Sequence, residues 1–272
     1  MGGLTVANRY SRLIAHIFHQ HYAEGDQVVT FDRDEIPQAA RDLGIRLPKN
    51  LGDVIYSFRH RVALPDSIRD KAPDEKEWVI TAQGRAAYAF ELRRVVRIVP
   101  DPMLVVTKIL DATPGVVDRY AFDDEQALLA KLRYNRLIDV FTGVTCYSLQ
   151  NHLRTTVRGI GQVETDELYI GVDKRGAHYV FPVQAKGGTD EIGVVQIEQD
   201  AALGAEKYPS LVCRPIAAQF MEGGVIAMFE FTVDETEDAD AVRKVDEAHY
   251  KLVGPDELSA DEPERYRQRA GG

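Results

Sequence analysis

Asp166 and the Gln184-Ala185-Lys186 triplet have the residue types from which a divalent-cation site is assembled. Asp166 lies in Gly161-Gln-Val-Glu164-Thr-Asp166-Glu-Leu-Tyr-Ile-Gly171, a strand-like run. The turn Asp173-Lys-Arg-Gly176 follows, and a second, apolar run ends in Gln184 and Lys186. Polar groups at the end of an apolar strand are costly unless they are partnered or bind something. Side chains alternate along a strand, so Glu164 shares a face with Asp166, and Gln184 with Lys186. If the two runs are neighbours, all four heads converge at one end of a sheet. Carboxylate and amide oxygens are hard ligands that suit Mg²⁺ or Mn²⁺. A lysine beside them can orient an attacking water or offset charge on a phosphate. Those parts suffice for metal-assisted phosphodiester hydrolysis.

This arrangement resembles the PD-(D/E)XK nuclease superfamily, which includes many restriction endonucleases and Holliday-junction resolvases. In that pattern an acidic residue on one strand precedes a (D/E)-x-K triplet on the next. Asp166 matches the first position and Lys186 the lysine. Glu164-Thr-Asp166 after a glycine-containing turn looks like the Gly…Glu-x-Asp start common among its members. Gln184 departs from the usual acidic residue, although glutamine occupies that place in some active members. The neutral amide removes one negative charge from the metal shell, and Glu164 is expected to restore it. The resemblance covers about residues 125–230 and is strongest over 161–188. It implies a restriction endonuclease-like α/β core with a mixed central sheet over residues 103–235. It further implies Asp166, Gln184 and Lys186 as catalytic residues, with Asp166, Gln184, the Ala185 carbonyl and Glu164 around the metal. Asp139 or Glu125 would supply an extra carboxylate from the upstream helix. The alternative is that Asp166 and Glu167 are solvated residues of an edge strand and Lys186 an ordinary strand-end lysine.

The elements needed to hold such a site are legible at coarse grain. A helix is expected from about Asp124 to Phe141, capped by Asp123 with Gln126. A strand is expected over 144–157, a helix over 194–208 closed by Pro209, and strands over about 211–220 and 225–233. The acidic segment 236–272 reads as a partly disordered tail. Arg133, Arg136, His152, Arg154 and Arg158 are either phosphate contacts or a solvated basic face. Gln196, Glu198 and Gln199 read as a satisfied polar helix face.

Upstream, residues 7–22 put Leu13, Ile14, Ile17 and Phe18 on one helical face. A second helix spans about 34–43 and stops at Gly44, and Asn50 caps a third through Arg61. Strand 77–81 follows, and Gly84–Phe90 reads as another helix. Helix, helix, turn, basic helix and hairpin is the order of a winged helix-turn-helix module. Residues 1–98 are therefore expected to bind double-stranded DNA through Lys49, Tyr56, Arg59 and Arg61. Pro100 and Pro102 mark the boundary.

A net charge of −10 argues against a protein that coats nucleic acid non-specifically, but not against a site-directed nuclease. The two cysteines lie far apart without a Cys/His cluster, so neither a disulfide framework nor a zinc site is suggested. No apolar run has the length of a membrane span, and the expected compartment is the cytoplasm. The sequence thus points to an Mg²⁺-dependent DNA endonuclease of restriction or repair type, for which double-strand cutting favours a homodimer. A DNA-binding regulator with an inert nuclease-like domain is the rival. A metal-independent interaction protein is the third reading.

Overall fold

Phe18 on the first helix meets Trp78 and Phe90 edge-on, each at 5.1 Å between ring centroids, and this aromatic knot organises the N-terminal part of the chain. The computed structural model describes residues 6–47, 50–60, 62–94, 98–120, 125–187, 192–233 and 242–270. The helices α1 (Val6–His21), α2 (Glu35–Asp42), α3 (Gly52–His60) and α4 (Asp66–Arg69) pack on strands β1 (Val28–Asp32), β2 (Lys76–Ala82) and β3 (Ala87–Arg94). The strands form an antiparallel sheet in the order β1-β3-β2. Leu13, Ile14, Ile17 and Phe18 are fully buried, as the helical spacing requires. The end of α2 matches expectation: Gly44 has φ +62, and Ile45 N donates back to Ala40 O at 2.8 Å. Asn50 Oδ1 accepts from Gly52 N at 3.0 Å and caps α3.

One expected helix is a strand. Residues 84–90 turn through Gly84 (φ +129) and Ala86 (φ +62) into β3. Tyr88, Phe90 and Leu92 all reach the core, a period of two that a short apolar run conceals. Strand β1, too short to carry a clear period, was not anticipated.

The remaining chain builds a mixed eight-stranded sheet. Its strands are β4 (Val106–Leu110), β5 (Thr145–Val157), β6 (Gly161–Val172), β7 (His178–Lys186), β8 (Val212–Cys213), β9 (Ile216–Phe220), β10 (Val225–Val233) and β11 (Val242–Val253). They lie in the order β4-β11-β10-β9-β7-β6-β5, with β8 also on β7. The pairs β4/β11, β7/β9 and β7/β8 are parallel, and the others are antiparallel. The helices are α5 (Gly115–Tyr120), α6 (Glu125–Tyr134), α7 (Leu137–Thr142), α8 (Val194–Lys207) and α9 (Asp261–Ala270). Phe181, Val183 and Ala185 of β7 pack with α6 and α7, whereas Val180 packs with Leu203 of α8, so helices cover both faces.

The single helix expected over 124–141 is broken into α6 and α7 at Asn135 and Arg136, where Arg136 has φ +50. The buried Asn135 amide donates to Thr113 Oγ1 and Lys131 O, while its oxygen takes Ala112 N at 2.7 Å. Such local bonds compete with helix propagation. The expected cap Asp123 lies outside the described residues.

The acidic tail is not disordered over its described part. β11 lies between β4 and β10, and its Glu247 accepts from His249 and from Asp101 N at 2.8 and 2.7 Å. Tyr266 of α9 takes Lys108 N of β4 at 3.0 Å, which covers part of a sheet edge. Among the described residues no helix is long and apolar enough to cross a membrane.

Candidate active site

The β6/β7 ladder runs from Val172↔His178 to Glu167↔Val183, and Asp166 sits one step beyond it. There its Oδ2 accepts Ala185 N at 2.8 Å, replacing the backbone acceptor the ladder no longer supplies. Across β5, Asn151 and Leu153 pair with Glu167 and Thr165, so His152, with φ +47, stands opposite Asp166. Neither β6 nor β7 is an edge strand, Glu167 is fully buried and Lys186 is 8% exposed. The solvated-edge alternative therefore does not describe these residues.

Gln184 and Lys186 share strand parity but part company. The Gln184 amide nitrogen donates to Asp200 Oδ2 on α8 at 2.8 Å and to Glu164 O at 3.2 Å. Lys186, at the strand end, turns to Glu125 Oε1 at the start of α6, 3.2 Å away. Next to it, Gln126 Nε2 and His152 Nε2 are 3.1 Å apart. Asp166, Lys186, Glu125 and the Ala185 backbone thus gather at the end of β7, where its ladder with β6 stops. Burial pushes the Asp166 carboxyl above its ordinary value; the Ala185 amide and Lys186 oppose this, and Glu125 adds to it.

The structure does not bring Glu164 into this group. Val163 and Leu168, five residues apart, belong to one core cluster, so strict alternation slips by one residue between them. Glu164 instead binds Arg154 Nε at 3.1 Å and the Tyr56 hydroxyl at 3.2 Å. Although partial burial works against the charged form, Arg154 and Tyr56 hold its carboxyl below the ordinary value. Of the two upstream carboxylates considered, Glu125 is the one at the site, because Asp139 Oδ1 is taken up by Cys146 N at 2.9 Å.

Asp200 was not singled out from sequence. It is 0% exposed and its Oδ1 is buried without a hydrogen-bond partner; burial, helped by the Asp166 charge, holds its carboxyl well above the ordinary value against the Gln184 amide and the Thr165 hydroxyl. The available signal was a carboxylate on the apolar stripe of α8, between the buried Ile197 and Leu203.

Arg133, Arg136 and Arg154 are committed to carboxylates, whereas Arg59 is withdrawn from solvent. Arg59 Nε and one terminal nitrogen are buried without partners, and burial lowers its pKa. Arg133 Nε binds Glu167 Oε1 at 3.0 Å, and Arg93 binds Glu198 at 2.8 Å. Glu198 is therefore satisfied by an ion pair, and Gln199 is buried. Lys49 and Arg61 lie outside the described residues.

As for metal fit, among the described residues no three His, Cys, Asp or Glu converge on a point. Asp166 and Glu125 supply two carboxylates, and an extended residue whose N–H faces Asp166 sends its C=O to the same edge, which adds the Ala185 carbonyl. Both bonds of Gln184 use its nitrogen, so its oxygen is a further hard donor. This all-oxygen set fits Mg²⁺, which keeps several waters and needs few protein ligands. Comparison of the chain with family models, curated proteins and solved structures returns no match.

Proposed function

We propose that the chain is an Mg²⁺-dependent DNA endonuclease whose N-terminal part is a winged helix and whose mixed sheet is a PD-(D/E)XK-type core. The observation that carries this reading is the meeting of Asp166, the Ala185 backbone, Lys186 and Glu125 at the end of β7, where its ladder with β6 stops, with α8 as the next helix. The N-terminal order of helices, with a hairpin closing a three-stranded sheet, supports the winged-helix part.

In this reading Asp166, Glu125, the Ala185 carbonyl and the Gln184 oxygen hold the ion, with Mn²⁺ as a substitute for Mg²⁺. Bound there, the ion polarises the scissile phosphate and lowers the pKa of a coordinated water. Lys186 donates hydrogen bonds to the nucleophilic water or the phosphate, and its bond to Glu125 keeps its Nζ at the strand end. Double-stranded DNA is the substrate, and a homodimer would cut both strands. With Tyr56 bonded to Glu164, DNA binding through that face of α3 requires the contact to open.

The rival is a DNA-binding regulator with an inert core, favoured by the absence of a three-carboxylate cluster among the described residues. Supercoiled plasmid incubated with and without Mg²⁺, beside Lys186→Ala, separates the two. Mg²⁺-dependent nicking lost in the variant supports the nuclease. DNA retardation without nicking supports the regulator, and equal nicking by both proteins removes Lys186 from the mechanism.

A further inference from the structure

The buried face of α8 carries a carboxyl group in apolar company. Ile197 and Leu203 are fully buried, and between them Asp200 is buried to the same extent. An apolar side chain would fill the same place without desolvating a carboxyl group. Its Oδ1 is buried without a partner, the sort of group that calls for a functional account. Its Oδ2 accepts from the amide of Gln184, the one motif position where a neutral residue stands in place of an acid.

An amide has two unlike ends: the nitrogen carries two hydrogens and the oxygen only accepts. Here both hydrogens have acceptors, Asp200 Oδ2 at 2.8 Å and the Glu164 carbonyl at 3.2 Å. Flipping the amide would set its oxygen against the Glu164 carbonyl, which can only accept, so the flip is disfavoured. One end of Gln184 is therefore committed to the interior, and the oxygen is the end these bonds leave to a ligand.

We infer that Asp200 is a positioning residue that locks the Gln184 amide with its oxygen as the donor offered to a divalent cation. The inference rests on the nuclease reading and deepens it. Position 184 contributes through orientation rather than charge, and the residue that enforces the orientation comes from α8. Residues that orient a metal ligand typically change metal affinity about ten- to a hundredfold when removed.

The test titrates the full-length protein with Mn²⁺ by calorimetry and follows Mg²⁺-dependent plasmid nicking and thermal unfolding in parallel. Asp200→Asn keeps an oxygen that accepts from Gln184 and should bind Mn²⁺ within about threefold of the parent. Asp200→Leu removes the acceptor and should weaken binding about tenfold or more, with a Tm equal to or above the parent's. In a Gln184→Ala background, Asp200→Leu should have no further effect on Mn²⁺ affinity. If leucine does not fit, Asp200→Ala removes the acceptor by leaving space instead. Unchanged Mn²⁺ affinity in the Leu or Ala variant overturns the inference. Equal loss in the Asn and Leu variants also overturns it, because charge rather than orientation would then be at work. A parent protein that neither binds Mn²⁺ nor nicks DNA removes the nuclease reading itself, and that result is distinct from the other two.

Discussion

The Tyr56 hydroxyl donates to Glu164 Oε2 at 3.2 Å, joining residues 108 positions apart in the chain. The same carboxylate also binds Arg154. One bond thus engages two side chains for which the sequence suggested other work, Tyr56 as a DNA contact and Glu164 as a metal ligand. It also ties α3 to the β5/β6 hairpin, and the Arg93–Glu198 ion pair ties β3 to α8.

The two acidic residues of Glu164-Thr-Asp166 should consequently behave differently. Glu164→Gln keeps an acceptor for Tyr56 and should retain Mg²⁺-dependent nicking within about threefold. Asp166→Asn should lose about a hundredfold or more, beyond the usual range for residues that merely orient a ligand. Matching losses in the two variants would return Glu164 to the metal shell.

A glycine in α8 gives a stability prediction whose sign runs against helix propensity. Alanine normally favours a helix over glycine by about 1 kcal/mol. At Gly204, however, an added Cβ would lie 2.2 Å from Cys213 Sγ. Overpacking of a filled core costs about 1–3 kcal/mol, so Gly204→Ala should lower the Tm by several degrees. Adding Cys213→Ala removes the sulfur but keeps the Cβ, which would lie 2.7 Å from the new methyl group, so it should recover only part of the loss. A Tm rise in the single variant would mean that α8 and β8 are not packed this closely.

Both cysteines should be poor nucleophiles in the folded chain. Burial pushes the Cys146 thiol up to about 11, against a bond from Thr142, and the Cys213 thiol up to about 12. Only the thiolate reacts, and below its pKa a thiol loses about tenfold in thiolate for every pH unit of separation. At about pH 8, modification by a disulfide reagent should therefore be at least about a hundredfold slower than for a free thiol. Guanidinium should release two reactive thiols per chain, the number in the sequence. Fast labelling of Cys213 before unfolding would show that α8 opens locally.

The elements legible in the sequence were long runs bounded by turn residues. β5, β6, β7, β10 and α8 are such runs, and all five fall where expected whether or not their period is unbroken. Local events defeated the others. Asn135 ends α6 by bonding a loop 22 to 24 residues away, and no periodicity encodes that. Strand parity put Glu164 with Asp166 and Gln184 with Lys186, whereas Glu164 turns to Arg154 and Tyr56, and Lys186 leaves Gln184 for Glu125. Asp200 escaped notice because helical spacing shows that it is buried, not that its partner is Gln184.

The acidic tail offers the sharpest contrast between composition and structure, and truncation tests it. Charge density suggested disorder, yet β11 pairs with β10 from Val225↔Lys251 to Val233↔Val242 and with β4 from His249↔Val106 to Val253↔Leu110. A chain ending at Val233 strips β10 of a neighbour along its whole length and leaves β4 without its partner. Unpaired strand edges beside exposed apolar surface promote aggregation, so this chain should be insoluble or lack a cooperative transition. A chain ending at Gly254 keeps β11 and loses only α9 and the short turn before it. It forfeits the Tyr266 bond to Lys108 N and the Lys108–Glu262 ion pair, which is about 34% and 9% exposed at its two side chains. With the Lys108 Nζ bond to Glu257 O, also lost, two hydrogen bonds and one partly solvated pair contribute about 1–3 kcal/mol together, so this chain should fold with a Tm only several degrees lower. Circular dichroism melts of the three chains decide the matter. Equal melting of all three would mean that β11 contributes nothing to the sheet, whereas collapse of the shortest alone assigns the acidic segment to the core.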